Sequence, residues 1–424
     1  MEMRDYLQSC SSCGFQRSDS IGIAECPRCG KTLKYLYRRI REIKSSGFLD
    51  SSLSGMWKYH QLLPLDDLGS CVTLGEGGTP LTDSHRLRSR FGFSGRLLLK
   101  DETQNPTGTY KDRPASIGVT KALETGSRLV AIASDGNAGP AVAAYSARAG
   151  LDCLVVMPED TPMERNIQAV LYGARLILVK ESTVSECIDL VNELSGTFDW
   201  THLTTAAAVN PYHIEGTKTI AYEIAEDLGW SSPDWVIVPA GGAGLAAATW
   251  KGFLEMKVAG MINKLPRLLV VQAKGCAPVV RAFKEKKRRV ERWEKPNTKA
   301  TAIGVPYPLD GDWALEAIEE SGGYALTLSD EEMNKAAMIL ARSEGVFAES
   351  TGAASVAGFA RALEEGVVGG EETVVAVVTG SGLKSISLFG ELLDESRVIG
   401  RDSSDLNSVV EEYMQADRED LGTP

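Results

Sequence analysis

The sequence predicts an α/β protein: two open, parallel-sheet α/β domains behind a small N-terminal metal-binding module. Three observations point there. Short β-branched runs alternate with helical stretches along most of the chain, the rhythm of βαβ units. Glycine-rich turns follow several of these runs and lead into alanine-rich segments, and open α/β sheets bind ligands at such turns. Two CxxC pairs stand within the first thirty residues, a spacing that suits a four-cysteine metal site.

The module comes first, over residues 1–35. It carries Cys10-x2-Cys13 and Cys26-x2-Cys29, while Cys71, Cys153, Cys187 and Cys276 are scattered. Each CxxC turn offers two thiolates to one face, and two turns complete a tetrahedral S4 shell for zinc. With all four positions filled by sulfur the metal is structural, and a segment this short cannot bury a sufficient core without it. Coincidental pairs, or a redox pair, are the alternatives. A lead-in follows with aromatic anchors in GMWKYHQLLPL, Gly55 to Leu65.

The first α/β domain, with this lead-in, is expected over 36–215. Its strands read as RLVAIA (Arg128–Ala133), CLVVM (Cys153–Met157) and RLILV (Arg175–Val179), with AVAAYSARA and MERNIQAVLY as helices between them. The second is expected over 216–396, with WVIVP (Trp235–Pro239), LLVVQ (Leu268–Gln272) and TVVAVVT (Thr373–Thr379). KEKKRRVERWEK, Lys284 to Lys295, mixes both signs of charge and reads as a solvated helix or loop. Residues 397–424 form a polar, acidic tail.

Bulk composition narrows the function. The chain has 424 residues, 43% of them hydrophobic and 24% charged, as in soluble globular proteins. Its net charge of -12 speaks against nucleic acid or an anionic membrane as the main partner. No apolar run approaches the about 20 residues that span a bilayer. MEMRDYLQSCSSC lacks the apolar core of a signal peptide. A cytoplasmic protein is expected.

Four turns carry the candidate chemistry. ASDGNAGPAVAAYSARAG, from Ala133, places Ser134, Asp135, Gly136, Asn137 and Ala138 at a helix start, where free N–H groups suit an anion. AGGAGLAAATW sets Gly241, Gly242, Ala243 and Gly244 before another helix, for a phosphate or for close packing. NPTGTYKDRP, Asn105 to Pro114, brings Lys111 to a Pro-Thr-Gly turn. Such a lysine could bond an aldehyde cofactor or be an ordinary surface lysine. TGSGLKS follows the last strand, with Thr379 available to a ring nitrogen or to local hydrogen bonds.

Taken together, these turns resemble the fold-type II pyridoxal-phosphate enzymes, and among them the threonine synthases with an N-terminal zinc ribbon. The resemblance runs from the ribbon to about residue 390, and LGEGGTPL belongs to it as well. It implies a tryptophan synthase β-like fold, with Lys111 as the Schiff-base lysine and catalytic base. It implies that Asn137 faces the cofactor, that Gly241, Gly242, Ala243 and Gly244 form the phosphate cup, and that Thr379 meets the pyridine nitrogen. Ser134 to Ala138 would bind the substrate, and Asn210 of VNPYHIEGTKT, a segment that also holds Thr217 and Lys218, would hold its phosphate. The implied reaction turns O-phospho-L-homoserine and water into L-threonine and phosphate. A homodimer is usual in the family.

Two features depart from that pattern. Asp135 and Ala138 stand where the family loop usually has threonines. Ile188 and Asp189 occupy KESTVSECIDLV, where related synthases tend to have an arginine. The DGN sequence also resembles the diaminopropionate ammonia-lyases, in which this aspartate acts as a base, so Asp135 is a second catalytic candidate. Its plainer role is to cap the following helix. The alternatives are therefore an ammonia-lyase acting on diaminopropionate, serine or threonine, or a cysteate synthase-like replacement enzyme. A binding protein that had kept only the fold would be expected to lack the lysine, and Lys111 is present.

Overall fold

A computed structural model describes residues 5–18, 22–43, 49–161, 163–195, 197–198, 200–387, 389–390, 401 and 406–412. Of the expected tail, only 401 and 406–412 fall among them. The N-terminal module is a three-stranded antiparallel sheet of β1 (Tyr6–Ser9), β2 (Gln16–Arg17) and β3 (Lys34–Tyr37), in the order β2-β1-β3.

Ten further strands make two sheets. They are β4 (Leu81–Asp83), β5 (Arg96–Asp101), β6 (Leu129–Ala133), β7 (Asp152–Pro158), β8 (Arg175–Val179), β9 (Thr201–His202), β10 (Trp235–Pro239), β11 (Arg267–Ala273), β12 (Tyr324–Leu328) and β13 (Thr373–Val378). The smaller sheet runs β8-β7-β6-β9 and is parallel throughout. The larger runs β12-β11-β10-β13-β5-β4, and only the edge strand β4 is antiparallel. The two parallel sheets agree with the expected fold class.

The strands are not divided as the sequence suggests. β4 and β5 lie inside the expected first domain, yet they join the larger sheet, where Thr373 of β13 faces Arg96 of β5. The boundary between 215 and 216 therefore does not separate the sheets. Nothing local to RLLLKD specifies a parallel partner so distant in the chain. β5 and β12 are strands that the sequence reading does not pick out.

Burial follows the pleat. Val236 and Val238 of β10 pack on one side of the larger sheet, Trp235 and Ile237 on the other, as expected for a parallel sheet with both faces covered. The helix Ala138–Ala149 is alanine-rich because it packs closely against β7: a Cβ on Gly139 would come 2.9 Å from Val155 Cγ1. The KEKKRRVERWEK segment is solvated as expected: the helix Pro278–Lys284 ends on its first residue, and Lys287 pairs with Glu285 and Glu291. No helix among the described residues is long and apolar enough to cross a membrane.

The module docks on the segment Tyr212–Lys218. Gly22 N–H donates to the Tyr212 hydroxyl at 2.8 Å, and the Tyr35 and Tyr212 rings stack at 6.1 Å. Tyr37 donates to Glu215 Oε2 at 2.6 Å, under the Lys218 ammonium, which lies 4.1 Å from the Tyr37 ring.

Candidate active site

The turns after β6, β10 and β13 open on one cavity, with Lys111 on its wall. Ser134, Asp135, Gly136, Asn137, Ala138, Gly241, Gly242, Ala243, Gly244 and Thr379 all line it. Four distant stretches of chain thus converge where the sequence places candidate chemistry.

Lys111 directly precedes the helix Asp112–Glu124, and its Nζ donates to Thr205 Oγ1 at 2.9 Å. The turn before it is held by Asp112, whose carboxylate accepts from Thr107 N at 3.1 Å and Thr107 Oγ1 at 2.8 Å. Burial pushes the Asp112 carboxyl up to about 7, against the pull of those two bonds. Thr379 is tied to the same turn, its carbonyl accepting from Tyr110 N at 3.1 Å and Thr109 Oγ1 at 3.0 Å. The strand end after β13 therefore fixes where Lys111 points.

In the loop after β6, a serine hydroxyl serves the helix start. Ser134 Oγ accepts from Gly136 N at 3.2 Å and Gly139 N at 3.1 Å. Asp135 is half-buried on the cavity wall. A hydroxyl one residue before Asp135 thus reaches the Gly139 N–H in the first turn of the helix Ala138–Ala149. Asn137 Nδ2 donates to Glu349 Oε1 at 2.6 Å, and its Oδ1 has no partner among the described residues.

The cup after β10 is shaped by close approach. A Cβ on Gly241 would stand 2.3 Å from the Ala302 carbonyl oxygen. Ala243 takes a left-handed backbone with φ of +69°, unusual for a residue with a side chain. Gly244 begins the helix Gly244–Val258, whose first-turn N–H groups have no partners within the helix. Beside it sit His213 and Asp310. Burial, with Lys111 adding to it, holds the His213 imidazole well below the usual histidine range and so neutral. Burial pushes the Asp310 carboxyl up to about 7, although Ala207 N–H donates to its Oδ1 at 2.8 Å.

Asn210 does not line the cavity. Its Oδ1 accepts from Tyr212 N at 3.0 Å in a local turn, so its expected hold on substrate phosphate finds no support in this geometry. Thr217 and Lys218 are also elsewhere, Lys218 Nζ pairing with Glu215 at 2.6 Å and Glu255 at 2.9 Å. His213, three residues beyond Asn210, does reach the wall, as does Ile188. Thr205, His213, Asp310 and Glu349 escape the sequence reading. Only Glu349 leaves a signal, as an acid at a helix N-cap position where Ser, Thr, Asp or Asn would be expected.

A second centre lies in the N-terminal module. Sγ atoms of Cys10, Cys13, Cys26 and Cys29 all fall within 4.8 Å of one another. Cys10–Cys29 and Cys13–Cys26 are each 3.5 Å apart, near the about 3.8 Å edge of a tetrahedron with 2.3 Å metal–sulfur bonds. The two knuckles repeat each other: Gly14 N donates to Cys10 O at 3.0 Å, Gly30 N to Cys26 O at 2.8 Å. Both glycines have left-handed φ, +70° and +68°. The donor set fits a thiophilic metal.

An amine on one wall, an unpartnered amide oxygen nearby and a backbone N–H cup at a helix start fit an aldehyde cofactor bearing a phosphate. A family model described as pyridoxal-phosphate dependent enzyme matches residues 72–380, and the chain belongs to that family. It is similar to the threonine synthase of Methanocaldococcus jannaschii, at 39% identity over 409 residues, 96% of this chain and 100% of that protein. The threonine synthase of Mycobacterium bovis is 42% identical over 327 residues, 77% of this chain and 87% of that one. Among solved structures, the processed form of threonine deaminase isoform 2 from Solanum lycopersicum superposes with a TM-score of 0.62 at 22% identity, covering 74% of this chain and 87% of that one. At that identity the likeness concerns the fold alone.

Proposed function

We infer that the protein is a pyridoxal-phosphate-dependent threonine synthase, forming L-threonine and phosphate from O-phospho-L-homoserine and water. The observation that carries this reading is the likeness to a threonine synthase over 96% of the chain.

Lys111 would hold the cofactor aldehyde, and Gly241 to Gly244 its phosphate. Thr379 would face the ring nitrogen, and Asn137 Oδ1, buried without a partner among the described residues, would face the ring from the other turn. The bound cofactor supplies a sink for the electron pair left when a proton leaves the substrate α-carbon. Lys111 takes and returns that proton, with Thr205 Oγ1 at 2.9 Å steering its amine. Backbone N–H groups of Asn137 and Ala138 would receive the substrate carboxylate, while Ser134, which holds the Gly136 N–H, keeps the loop closed. A threonine hydroxyl at 379, unlike a carboxylate, does not hold a proton on the ring nitrogen.

A second reading, an ammonia-lyase acting on a diamino acid, is favoured by the Asp135 carboxylate on the wall and by apolar Ile188 where an arginine is expected. One product assay decides between them. O-phosphohomoserine should yield threonine and phosphate in equal amounts, and none from Lys111→Ala. Ammonia from 2,3-diaminopropionate, with no phosphate released from O-phosphohomoserine, would overturn the first reading.

The four cysteines hold structural zinc in this proposal. One zinc per chain by elemental analysis, and a lowered melting temperature after chelation, would bear it out. A cytoplasmic location accords with the reduced thiols such a site requires. Two copies would pair through the smaller domain, where Met163, Ile167, Val170 and Leu171 of the helix Met163–Leu171 and Ile177 and Leu178 of β8 are exposed. Sedimentation at twice the chain mass would agree, and Leu171→Glu should then yield monomers.

A further inference from the structure

We propose that Glu349 is a positioning residue for the cofactor. It holds the Asn137 amide, and so locks the turn after β6 to the turn after β13 at one side of the cavity. The inference rests on the pyridoxal-phosphate reading of that cavity, with Asn137 meeting the cofactor.

Glu349 stands at the start of the helix Ser350–Glu364, the position from which a side chain ordinarily caps the first turn. Its carboxylate makes no such cap. Instead Oε1 accepts from Asn137 Nδ2 at 2.6 Å, and hydrogen bonds to a carboxylate are among the stronger ones. Both residues line the cavity, and both are buried, Asn137 at 6% exposure and Glu349 at 2%. The bond joins two bodies of the fold. Asn137 follows β6 of the smaller sheet, whereas the helix that Glu349 opens packs on the larger one.

Glu349 itself is anchored. Its N–H donates to Gly380 O at 3.0 Å, and Ala348 before it bridges Ser381. Oε2 accepts from Ser385 Oγ at 3.4 Å. These bonds tie it to the residues that directly follow Thr379. Gly380 leaves room for the pair: a Cβ there would stand 2.5 Å from Glu349 Oε1 and 3.0 Å from Asn137 Nδ2. A side chain at 380 would therefore drive the amide and the carboxylate apart.

The bond also fixes which way the amide is turned. A carboxylate accepts and does not donate, so only Nδ2 can face it. A half-turn of the amide would set Oδ1 against Oε1, oxygen against oxygen. Oδ1 is thereby kept away from Glu349, with no partner among the described residues. Without the acid, both orientations are open to the amide. Glu349 thus acts on the cofactor through Asn137, by direction and by spacing.

A double-mutant cycle tests this. Apo-protein is titrated with pyridoxal phosphate, and the absorbance band of the bound cofactor is recorded. The proteins are wild type, Asn137→Ala, Glu349→Met, Glu349→Gln and the double variant Asn137→Ala/Glu349→Met. Asn137→Ala and Glu349→Met should each weaken the cofactor about 10-fold, and each should move the band in the same direction. The double variant should lose about 10-fold and not about 100-fold, with no further movement of the band, because both changes remove one interaction. Glu349→Gln keeps an acceptor for Nδ2 and should stay within about threefold of wild type. Additive losses in the double variant, or a band that Asn137→Ala alone moves, overturn the proposal and leave Glu349 as scaffold. Wild-type behaviour of Glu349→Met overturns it as well. Should Glu349→Met fail to fold, Glu349→Ala takes its place in the cycle. An Asn137→Ala protein that binds like wild type takes Asn137 off the cofactor and ends the proposal, with the cofactor reading intact. Wild type that binds no pyridoxal phosphate would refute the cofactor reading itself, and this proposal with it.

Discussion

Arg113 and Lys111 stand two residues apart on the same turn, yet their surroundings are opposite in kind. Arg113 is buried in a saturated knot. Its Nε donates to Glu102 at 2.7 Å, Nη1 to Glu223 at 2.7 Å and Thr219 at 3.0 Å, and Nη2 to Glu102 and Glu223 at 2.7 Å each. Lys100 adds a bond to Glu223 at 2.8 Å. On the other side of the turn, Asn137 Oδ1 and His213 Nδ1 of the cavity wall, and Asp310 Oδ2 beside Gly244, are without partners among the described residues. Burial alone does not distinguish the two regions; saturation does. A filled set of partners marks scaffold, because any newcomer must displace a bond already made. An unfilled set marks a place built around something else.

A second saturated knot makes the same point. Lys218 and Lys251 share Glu215 and Glu255, at 2.6 to 2.9 Å. Burial pushes the Glu215 carboxyl up, but the two lysines outweigh it and keep the group ionised. Tyr37 of the cysteine module closes this knot through Glu215, so the module is bonded to scaffold, two residues beyond the helix start that carries His213 to the cavity.

The contrast can be broken most directly at Lys111. Lys111→Ala should lower turnover more than about 1,000-fold and remove the absorbance band of the bound cofactor. It should leave the melting temperature of the apo-protein nearly unchanged, because Nζ has a single hydrogen bond, to Thr205. Arg113→Met should do the reverse. Removing one partner of a buried ion cluster costs about 3–5 kcal/mol, readable by urea unfolding, while turnover per folded molecule holds within about twofold. A stable Arg113→Met protein with impaired chemistry would erase the distinction.

Asp310 offers a finer test. Its carboxyl is raised from 3.8 to about 7 in the folded chain, so its contribution to stability is complete below the unfolded value and lost as pH rises through the folded one. Between pH 5 and pH 8 the apo-protein should lose about 2–3 kcal/mol that Asp310→Asn does not lose. Parallel stability profiles for the two proteins would contradict this. The smallest effect is expected at Ala243. Glycine at its left-handed φ of +69° relieves backbone strain, and Ala243→Gly should stabilise by about 0.5–1 kcal/mol, seen as a small upward shift in Tm.

Much of the site is legible in the sequence. Lys111, Asn137, the Gly241–Gly244 cup and Thr379 stand out because each sits in a short stretch whose turn chemistry shows in neighbouring residues, and all reach one cavity. Asp135 stands out too and reaches the same wall, next to Ser134, whose hydroxyl takes the Gly139 N–H. Asn210 enters by resemblance, but its side chain is taken up by a local turn. Asp310 and Thr205 have no local mark, since an aspartate after PYPL or a threonine before three alanines is unremarkable in a sequence window.

The sequence by itself determined what contiguous residues encode: strand and helix periods, the two cysteine knuckles, the lysine at its turn, and the small residues that let backbone approach a ligand. Only the tertiary structure decided what depends on contacts between distant segments. It placed β5 in the larger sheet beside β13, gave Glu349 to Asn137 across 212 positions, and left Asp310 Oδ2 open beside the helix start. Saturation is the property that separates scaffold from site here. It is a count of partners in space, and no stretch of chain carries that count before it folds.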